Sequence, residues 1–233
     1  MKRSLWLVLA LFATAPVAAE VPLPRPRPPE IGGAVEAPAR IPVDAAAAEA
    51  AGKACDALLA ANLAVAERVD GLAFDNGCGA PALVRISAVR ITDGKRVEFA
   101  PAALMRCDAA IAVANWIRDD VAPAAAAFGS ALARVEVAAS YVCRPRNNVK
   151  GAVLSEHGRA NALDVRAFGL ADGRVILVTA TDAPALLAEM KRSACARFTT
   201  VLGPGADPSH EFHLHVDLAQ RRGGYRICQW PLP

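Results

Sequence analysis

The stretch NALDVRAFGLADGRVILVTA, residues 161–180, contains two predicted β-strands and the turn between them. The strands are 161–168 and 174–180, and Asp172-Gly173 has the composition of a tight hairpin turn. Strands joined by so short a connection pair in the antiparallel sense. The stretch therefore predicts antiparallel sheet in the second half of the chain.

Further elements are predicted on both sides of this hairpin. Alternating apolar and polar residues over 134–142 are typical of a half-buried strand, and 82–91 and 212–218 are also predicted strands. The sequence Asp-Asn-Gly at 75–77 predicts a turn. The segment 183–198 has the composition of a helix, so the sheet is expected to have a helix beside it.

The first half of the chain is predicted to be mainly helical. Asp44 can cap an alanine-rich helix that continues to about residue 69, because its apolar residues recur with helical spacing. A second helix is predicted over 102–118, and Pro123 either interrupts it or begins another helical turn that ends near 128–129. Helices ahead of a compact antiparallel sheet indicate the α+β class, with helices flanking the sheet.

The chain is expected to divide into three segments. Two basic residues, an apolar run and small residues at the cleavage positions predict a secretory signal peptide over 1–19, with an uncleaved anchor as the alternative. The proline-rich segment 20–43 is expected to be an extended spacer. Residues 44–233 have the size of one ordinary domain and contain no second apolar span, so no transmembrane helix is expected after signal cleavage.

Charge and cysteine content exclude some classes of function. A formal charge of +3 with scattered basic residues does not indicate nucleic-acid binding. No cysteine lies in a C-x-x-C pair, which argues against a cysteine zinc cluster. Six cysteines in an exported chain predict disulfides, although sequence alone does not fix their pairing. The pairs that we expect are Cys55–Cys78, Cys107–Cys143 and Cys195–Cys228.

All four histidines of the chain lie in two short motifs, which indicates a built site. Of these, His157 and His215 are predicted to bind one zinc ion together with Asp164, because catalytic zinc usually has three protein ligands and a fourth position for water. His213 lies two residues before His215 on a predicted strand, so both side chains share one face. One can bind the metal while the other stands beside the water.

These motifs and their neighbours resemble a known family. The motifs that carry the resemblance are Ser140-Tyr141-Val142-Cys143-Arg144, Leu154-Ser155-Glu156-His157, Asn161-Ala162-Leu163-Asp164-Val165, Leu202-Gly203-Pro204-Gly205 and the histidine-rich segment 210–217. Together they look like the extensin-like protein C-terminal domain family of bacteria, over roughly 55–228. The spacing of the histidines and Asp164 also resembles the zinc D-Ala-D-Ala metallopeptidase and hedgehog-type fold, which lysostaphin-like enzymes share.

The resemblance implies a role for each residue of the site. It implies that His157, Asp164 and His215 are the zinc ligands and that His213 assists the water or stabilises the oxyanion. It also implies that Arg144 holds a substrate carboxylate or polarises the carbonyl. Zinc lowers the pKa of bound water to about 7. An imidazole or a guanidinium can stabilise the charge that develops on oxygen.

Four residues near the motifs each have two interpretations. His210 is expected at the rim of the site, or as a fourth ligand that would close it. Asp217 either orients an imidazole or forms an ordinary salt bridge. Ser155 and Asn161 either support the metal loop through hydrogen bonds or simply form a turn.

Two further residues could take part in the chemistry. Strand parity would place Glu211 on the face of the histidines, where it is a candidate general base. Arg144, in contrast, could merely pair with a carboxylate such as Glu156. The identity of the general base is therefore open at this stage.

The expected function is that of an exported zinc metallopeptidase or amidase, a hydrolase that acts on peptidoglycan peptides or a related envelope substrate. The signal peptide predicts a periplasmic or secreted protein, with the Gram-negative envelope as the expected location. The substrate is implied by the family resemblance alone. A noncatalytic zinc-stabilised domain that binds peptidoglycan or another envelope component is the alternative, and a structural envelope protein is a third interpretation.

Overall fold

The computed structural model describes residues 37–232. The predicted signal peptide, 1–19, and the greater part of the predicted spacer, 20–43, lie outside these residues and stay predictions. None of the helices within 37–232 combines the length and the apolar character that a bilayer crossing needs.

Helices and strands alternate irregularly along the described chain. The α-helices are α1 (Ala45–Ala60), α2 (Cys107–Trp116), α3 (Ala122–Ala127) and α4 (Pro184–Arg197). The strands are β1 (Ala64–Val69), β2 (Leu72–Ala73), β3 (Gly79–Ala80), β4 (Leu83–Arg90), β5 (Arg96–Arg106), β6 (Leu132–Ala139), β7 (Ala162–Leu170), β8 (Val175–Leu177), β9 (Thr200–Leu202), β10 (Leu214–Asp217) and β11 (Ile227–Gln229). Single helical turns lie at Thr92–Gly94, Ile117–Val121, Arg146–Asn148, His157–Arg159 and Arg222–Gly224.

Within 37–232, nine of the strands form one sheet in the order β1-β4-β5-β6-β7-β10-β9-β11, with β8 also paired to β7. Neighbouring strands are antiparallel except for the pairs β5–β6 and β9–β11, which are parallel. Strands β2 and β3 form a separate hairpin. The α+β class and the mostly antiparallel sheet are therefore confirmed.

One face of the sheet carries the hydrophobic core. Apolar side chains from the central strands and from all four α-helices belong to one buried cluster. Trp116 of α2 is fully buried in this cluster and makes edge-on contacts with Phe168 and Phe198, with ring centroids 6.2 and 5.6 Å away. Its indole Nε1 donates a hydrogen bond to Ser193 Oγ at 3.0 Å, so the polar atom of this buried ring is satisfied.

The first predicted helix begins where expected but ends early. Ala47 N donates to Asp44 Oδ1 at 2.7 Å, so Asp44 is confirmed as the helix cap. The extension to residue 69 is wrong, because α1 ends at Ala60 and Asn62 turns the chain with a φ of 50°. The following residues form β1 and pair with β4. Sheet pairing thus overrides the helical propensity of this alanine-containing segment.

The predicted helix over 102–118 is wrong in its first turn. Strand β5 continues through Arg106, paired with β4, and α2 begins only at Cys107. Pro123 does not interrupt the helical run, since a π-helical turn at Ile117–Val121 leads directly into α3 with the proline in its first turn. The predicted end near 128–129 is confirmed.

The three disulfides are Cys55–Cys107, Cys78–Cys143 and Cys195–Cys228. The third pair is confirmed, whereas the expected pairs Cys55–Cys78 and Cys107–Cys143 are wrong. Packing of α1 against α2 brings Cys55 and Cys107 together, with Cα atoms 4.9 Å apart. Sequence patterns do not reveal which helices pack together, so they could not fix these two pairs.

Candidate metal centre

Two of the predicted metal ligands are direct neighbours in the sheet. Asp164 of β7 and His215 of β10 are opposite each other in the antiparallel register. Their neighbours Leu163 and Leu214 are buried in the core, so Asp164 and His215 point to the other face of the sheet. The alternation that places apolar residues in the core thus brings a carboxylate and an imidazole together.

The third predicted ligand arrives from a loop. His157 begins the helical turn His157–Arg159, and its backbone N donates to Ser155 Oγ at 3.3 Å. Ala160 then adopts a left-handed conformation, and the side chain of Asn161 donates to the Glu156 carboxylate. Ser155 and Asn161 therefore support the metal loop with hydrogen bonds, as one of their two interpretations predicts.

The three side chains converge on one point. The distances are 3.1 Å from His157 Nε2 to His215 Nδ1, 2.9 Å from His215 Nδ1 to Asp164 Oδ1, and 3.1 Å from His157 Nε2 to Asp164 Oδ2. Ligand atoms of a tetrahedral zinc site lie about 3.3 Å apart, given bond lengths of about 2.0–2.1 Å. The three residues are 2–7% exposed and form a buried group that could hold a metal ion.

Outer hydrogen bonds fix which nitrogen each histidine presents to this point. His157 Nδ1 lies 2.6 Å from the Ser140 carbonyl oxygen, which can only accept, so Nδ1 carries the hydrogen. His215 Nε2 donates in the same way to Asp217 Oδ2 at 2.9 Å. Metal-binding histidines are oriented by such partners in many proteins. Of its two interpretations, Asp217 therefore has the one that orients an imidazole.

The result is a cluster of acceptors that could hold a cation. His157 Nε2 and His215 Nδ1 both present lone pairs, and the Asp164 carboxylate adds only acceptor atoms. Two lone pairs 3.1 Å apart repel each other unless a positive charge lies between them. A metal ion supplies that charge, and a proton on His215 is the alternative.

The electrostatics of the group agree with this competition. Burial disfavours charge on both residues, but the hydrogen bonds between Asp164 and the histidines outweigh it. They lower the pKa of Asp164 and, with Asp217, raise the pKa of His215 to about 9. Burial likewise opposes ionisation of Asp217, yet its bond to His215 lowers its pKa overall.

Metal affinity is therefore expected to rise with pH. Because the pKa of His215 in the metal-free fold is about 9, a proton competes for Nδ1 below that pH, and affinity should increase about tenfold per pH unit before levelling near pH 9. The metal-free fold should show the opposite trend, losing stability between the unfolded pKa of 6.5 and about 9. Competition titrations with a chelator and thermal melts over pH 6–10 measure the two trends. A metal affinity independent of pH would contradict this account.

Replacing the outer carboxylate should weaken the centre without removing a ligand. Asp217→Asn keeps the shape of the side chain but loses the charge that holds His215 Nε2–H, so metal affinity should fall by about 10–100-fold. Chelator competition at constant pH measures the loss. The control Asp182→Asn changes an exposed aspartate and should bind metal as the unaltered protein does. Equal affinities in both variants would show that Asp217 forms an ordinary salt bridge and does not orient a metal ligand.

Two further histidines lie beside the group. His213 Nε2 is 3.5 Å from Asp164 Oδ2, and burial is the main cause that lowers the pKa of His213. His210 Nδ1 lies 2.8 Å from Asp207 Oδ2, and its ring centroid is 5.6 Å from that of His215. Neither belongs to the group of converging ligand atoms. His210 therefore lies at the rim and not at a fourth ligand position.

The two remaining candidate residues have different positions. Glu211 is exposed and precedes β10, so strand parity does not apply to it, and it is not among the residues that line the cavity beside the metal group. Arg144 does line that cavity. Glu156 pairs with Arg159 at 3.5 Å, and no ion pair between Glu156 and Arg144 is found among residues 37–232.

The centre opens into a cavity of about 560 Å³. Its floor is the sheet face opposite the core, where Thr200 and Leu202 of β9 and Gln229 of β11 lie beside the metal group. The turn Arg146–Asn148 and the loop before His213 form its sides. The cavity is large enough for a peptide segment and gives it access to the metal group.

Sequence reasoning missed several residues of this site. Thr200 donates to Asp217 Oδ1, and Arg221 Nη2 donates in turn to Thr200 Oγ1 at 2.6 Å. Asp207, which holds His210, was also missed. Strands β9 and β11 were not predicted, and without them no pattern places Thr200 in the site. The Asp-x-x-His spacing of Asp207 and His210 was the one available indication.

Comparison with known proteins gives a family and no closer relative. The family model described as Extensin-like protein C-terminus matches residues 53–229, which is more than half of the chain. No curated protein and no solved structure matches the chain. The matched range contains every residue of the metal group and of the cavity.

Proposed function

The chain belongs to the extensin-like protein C-terminus family, and we propose that it is an exported zinc-dependent peptidase or amidase that acts on the peptides of the bacterial cell wall. One observation carries the proposal. His157 Nε2, His215 Nδ1 and the Asp164 carboxylate present acceptor atoms to one point beside a cavity. Such a cluster suits a metal ion that contacts a substrate bound in the cavity.

Zinc suits this set of ligands best. Two imidazole nitrogens and one carboxylate are typical zinc ligands, and three protein ligands leave a position for a further group. When bound, zinc would polarise a substrate carbonyl and lower the pKa of a coordinated water to about 7. His210 does not belong to the group of converging ligand atoms, so it does not fill the open position.

One residue of the chain would transfer the proton, and a second would stabilise the developing negative charge. His213 Nε2 lies 3.5 Å from Asp164 Oδ2, and burial lowers the pKa of this side chain, which favours the neutral imidazole. It can take the proton of the attacking water and return it to the amine nitrogen as the carbon–nitrogen bond breaks. Arg144, on the cavity wall, can stabilise the negative oxygen or hold a substrate carboxylate.

The substrate class rests on the resemblance of the motifs to zinc D-Ala-D-Ala metallopeptidases and lysostaphin-like enzymes. The predicted signal peptide would deliver the protein to the compartment that contains peptidoglycan. The disulfides suit that compartment, because such bonds persist in oxidising environments.

Binding without hydrolysis is the rival function, and the burial of the metal group favours it. His157, Asp164 and His215 are only 2–7% exposed, so little of the metal group is accessible to a substrate. A domain that uses zinc only for stability would show the same ligands. The two functions therefore differ in turnover and not in metal content.

Incubation with soluble muropeptides separates the two functions. The peptidase predicts new products by mass spectrometry that disappear when a chelator is added and return with zinc. A binder predicts retention of muropeptides without any new product. Glu211→Gln is the matched control, because Glu211 is exposed and outside the cavity, and it should leave product formation unchanged.

A further inference from the structure

The cavity beside the metal group contains cationic side chains without carboxylate partners. Arg144, Arg146 and Arg221 all line it. Among residues 37–232, no carboxylate oxygen lies within 4.0 Å of any of their guanidinium nitrogens. The other arginines near the site differ, since Arg159 pairs with Glu156 at 3.5 Å.

The carboxylates that line the same cavity are all engaged elsewhere. Asp164 contacts the two histidines of the metal group, and Asp217 contacts His215 and Thr200. Asp207 holds His210, and Glu156 contacts Arg159 and Asn161. Each of these acids therefore has its own partners within the cavity, and none of them pairs with Arg144, Arg146 or Arg221.

Arg221 is held in a fixed orientation. Its Nη1 donates to the Thr199 carbonyl at 3.1 Å, and its Nη2 donates to Thr200 Oγ1 at 2.6 Å. These two bonds use part of the five N–H donors of a guanidinium and leave the others for a ligand. Thr200 in turn donates to Asp217, so Arg221 is joined to His215 through two side chains.

Arg146 reaches the cavity from a separate segment of the chain. Arg146 lies in the turn Arg146–Asn148, which is closed by a bond from Arg146 N to the Val153 carbonyl at 2.9 Å. Asn147 and Asn148 line the cavity beside it and add amide groups that can also donate. Guanidinium groups with free donors recognise carboxylates through paired, charge-assisted hydrogen bonds.

We infer that Arg146 and Arg221, together with Arg144, form a subsite for a peptide that carries more than one carboxylate. The inference rests on the proposed function, because it specifies the substrate of the same cavity. Three unpaired guanidinium groups exceed what one carboxylate can satisfy. A neutral peptide would leave these donors facing only water, so it should bind much more weakly.

A matched pair of peptides tests the subsite by binding alone. The diacid is N-acetyl-alanyl-glutamyl-alanine, and the diamide has glutamine in place of glutamate and a C-terminal amide. By calorimetry at low salt, the protein should bind the diacid about a hundredfold more tightly, since each charge-assisted contact contributes about tenfold or more. Equal affinity for the two peptides would overturn the inference.

Arginine variants then show which guanidinium groups cause the preference for the diacid. Arg146→Gln and Arg221→Gln should each reduce it about tenfold. The control Arg222→Gln changes the exposed neighbour of Arg221, which does not line the cavity, and should keep the full preference. Zinc content is measured for each variant. If Arg221→Gln loses zinc, Arg146→Gln alone decides the result. A preference that survives Arg146→Gln would mean that the carboxylates bind the metal, and would overturn the subsite.

The outcomes for the subsite and for the proposed function are separate. Preference for the diacid without hydrolysis of any muropeptide would keep the subsite and reject the peptidase. Hydrolysis of neutral and acidic peptides at equal rates would keep the peptidase and reject the subsite.

Discussion

Asp164→Asn should severely weaken metal binding by the protein. Asp164 contributes the only carboxylate of the metal group and contacts both His157 and His215, at 3.1 and 2.9 Å. The substitution keeps the shape of the side chain but removes its charge. Metal affinity should fall by more than about a hundredfold, beyond the effect of losing an outer hydrogen bond. Chelator competition and metal analysis of the purified variant measure the loss.

Asp182→Asn provides the control, because it removes the charge of an exposed aspartate away from the site. Far-ultraviolet circular dichroism and the absence of free thiols show whether Asp164→Asn still folds with its disulfides formed. A folded Asp164→Asn variant that binds zinc as tightly as the control would mean that Asp164 is not a ligand.

His213→Ala should lose turnover and keep the metal. His213 is not part of the converging group, but its Nε2 lies 3.5 Å from Asp164 Oδ2 at the cavity. A side chain that transfers protons typically contributes a factor of about 100–10,000. Product formation from muropeptides should therefore fall by at least about a hundredfold. Zinc content should remain that of the unaltered protein.

Added imidazole gives a sharper test of the same role. If His213 transfers a proton, free imidazole can enter the space left by the alanine and restore part of the turnover. A purely structural role would not be restored in this way. Equal loss of zinc and of turnover in His213→Ala would show that His213 is a ligand, and normal turnover would remove it from the mechanism.

The parts of the fold that the sequence predicts are those with a local signal, such as a turn or a typical composition. The segment 161–180 forms β7 and β8 around the expected turn, and the predicted helix over 183–198 is α4. The strands are recognised from their apolar residues on both sides of the Asp172-Gly173 turn, and the helix from its composition. Alternation along β7 and β10 also explains why Asp164 and His215 leave the core together.

The parts that the sequence does not predict depend on tertiary pairing. Strand β5 contains an alanine-rich end that favours helix, and only its pairing with β4 keeps it extended. The short strands β9 and β11 have too few residues to show a period. The helix contact that joins Cys55 to Cys107 is equally nonlocal.

The same distinction applies to the metal centre. His157, Asp164 and His215 were identified from their types and spacing, and the structure brings all three together. Thr200 and Arg221 were missed because they reach the site through β9 and through the segment after β10. Strand parity does not place Glu211 on the face of the histidines, because this residue lies before β10.

Diffraction from crystals of the zinc-loaded protein, recorded on both sides of the zinc absorption edge, tests the central claim most directly. The account predicts an anomalous peak about 2.0–2.2 Å from His157 Nε2, the Asp164 carboxylate and His215 Nδ1, with one coordination direction open to the cavity. A peak at another place, or a fourth position filled by His210, would contradict it.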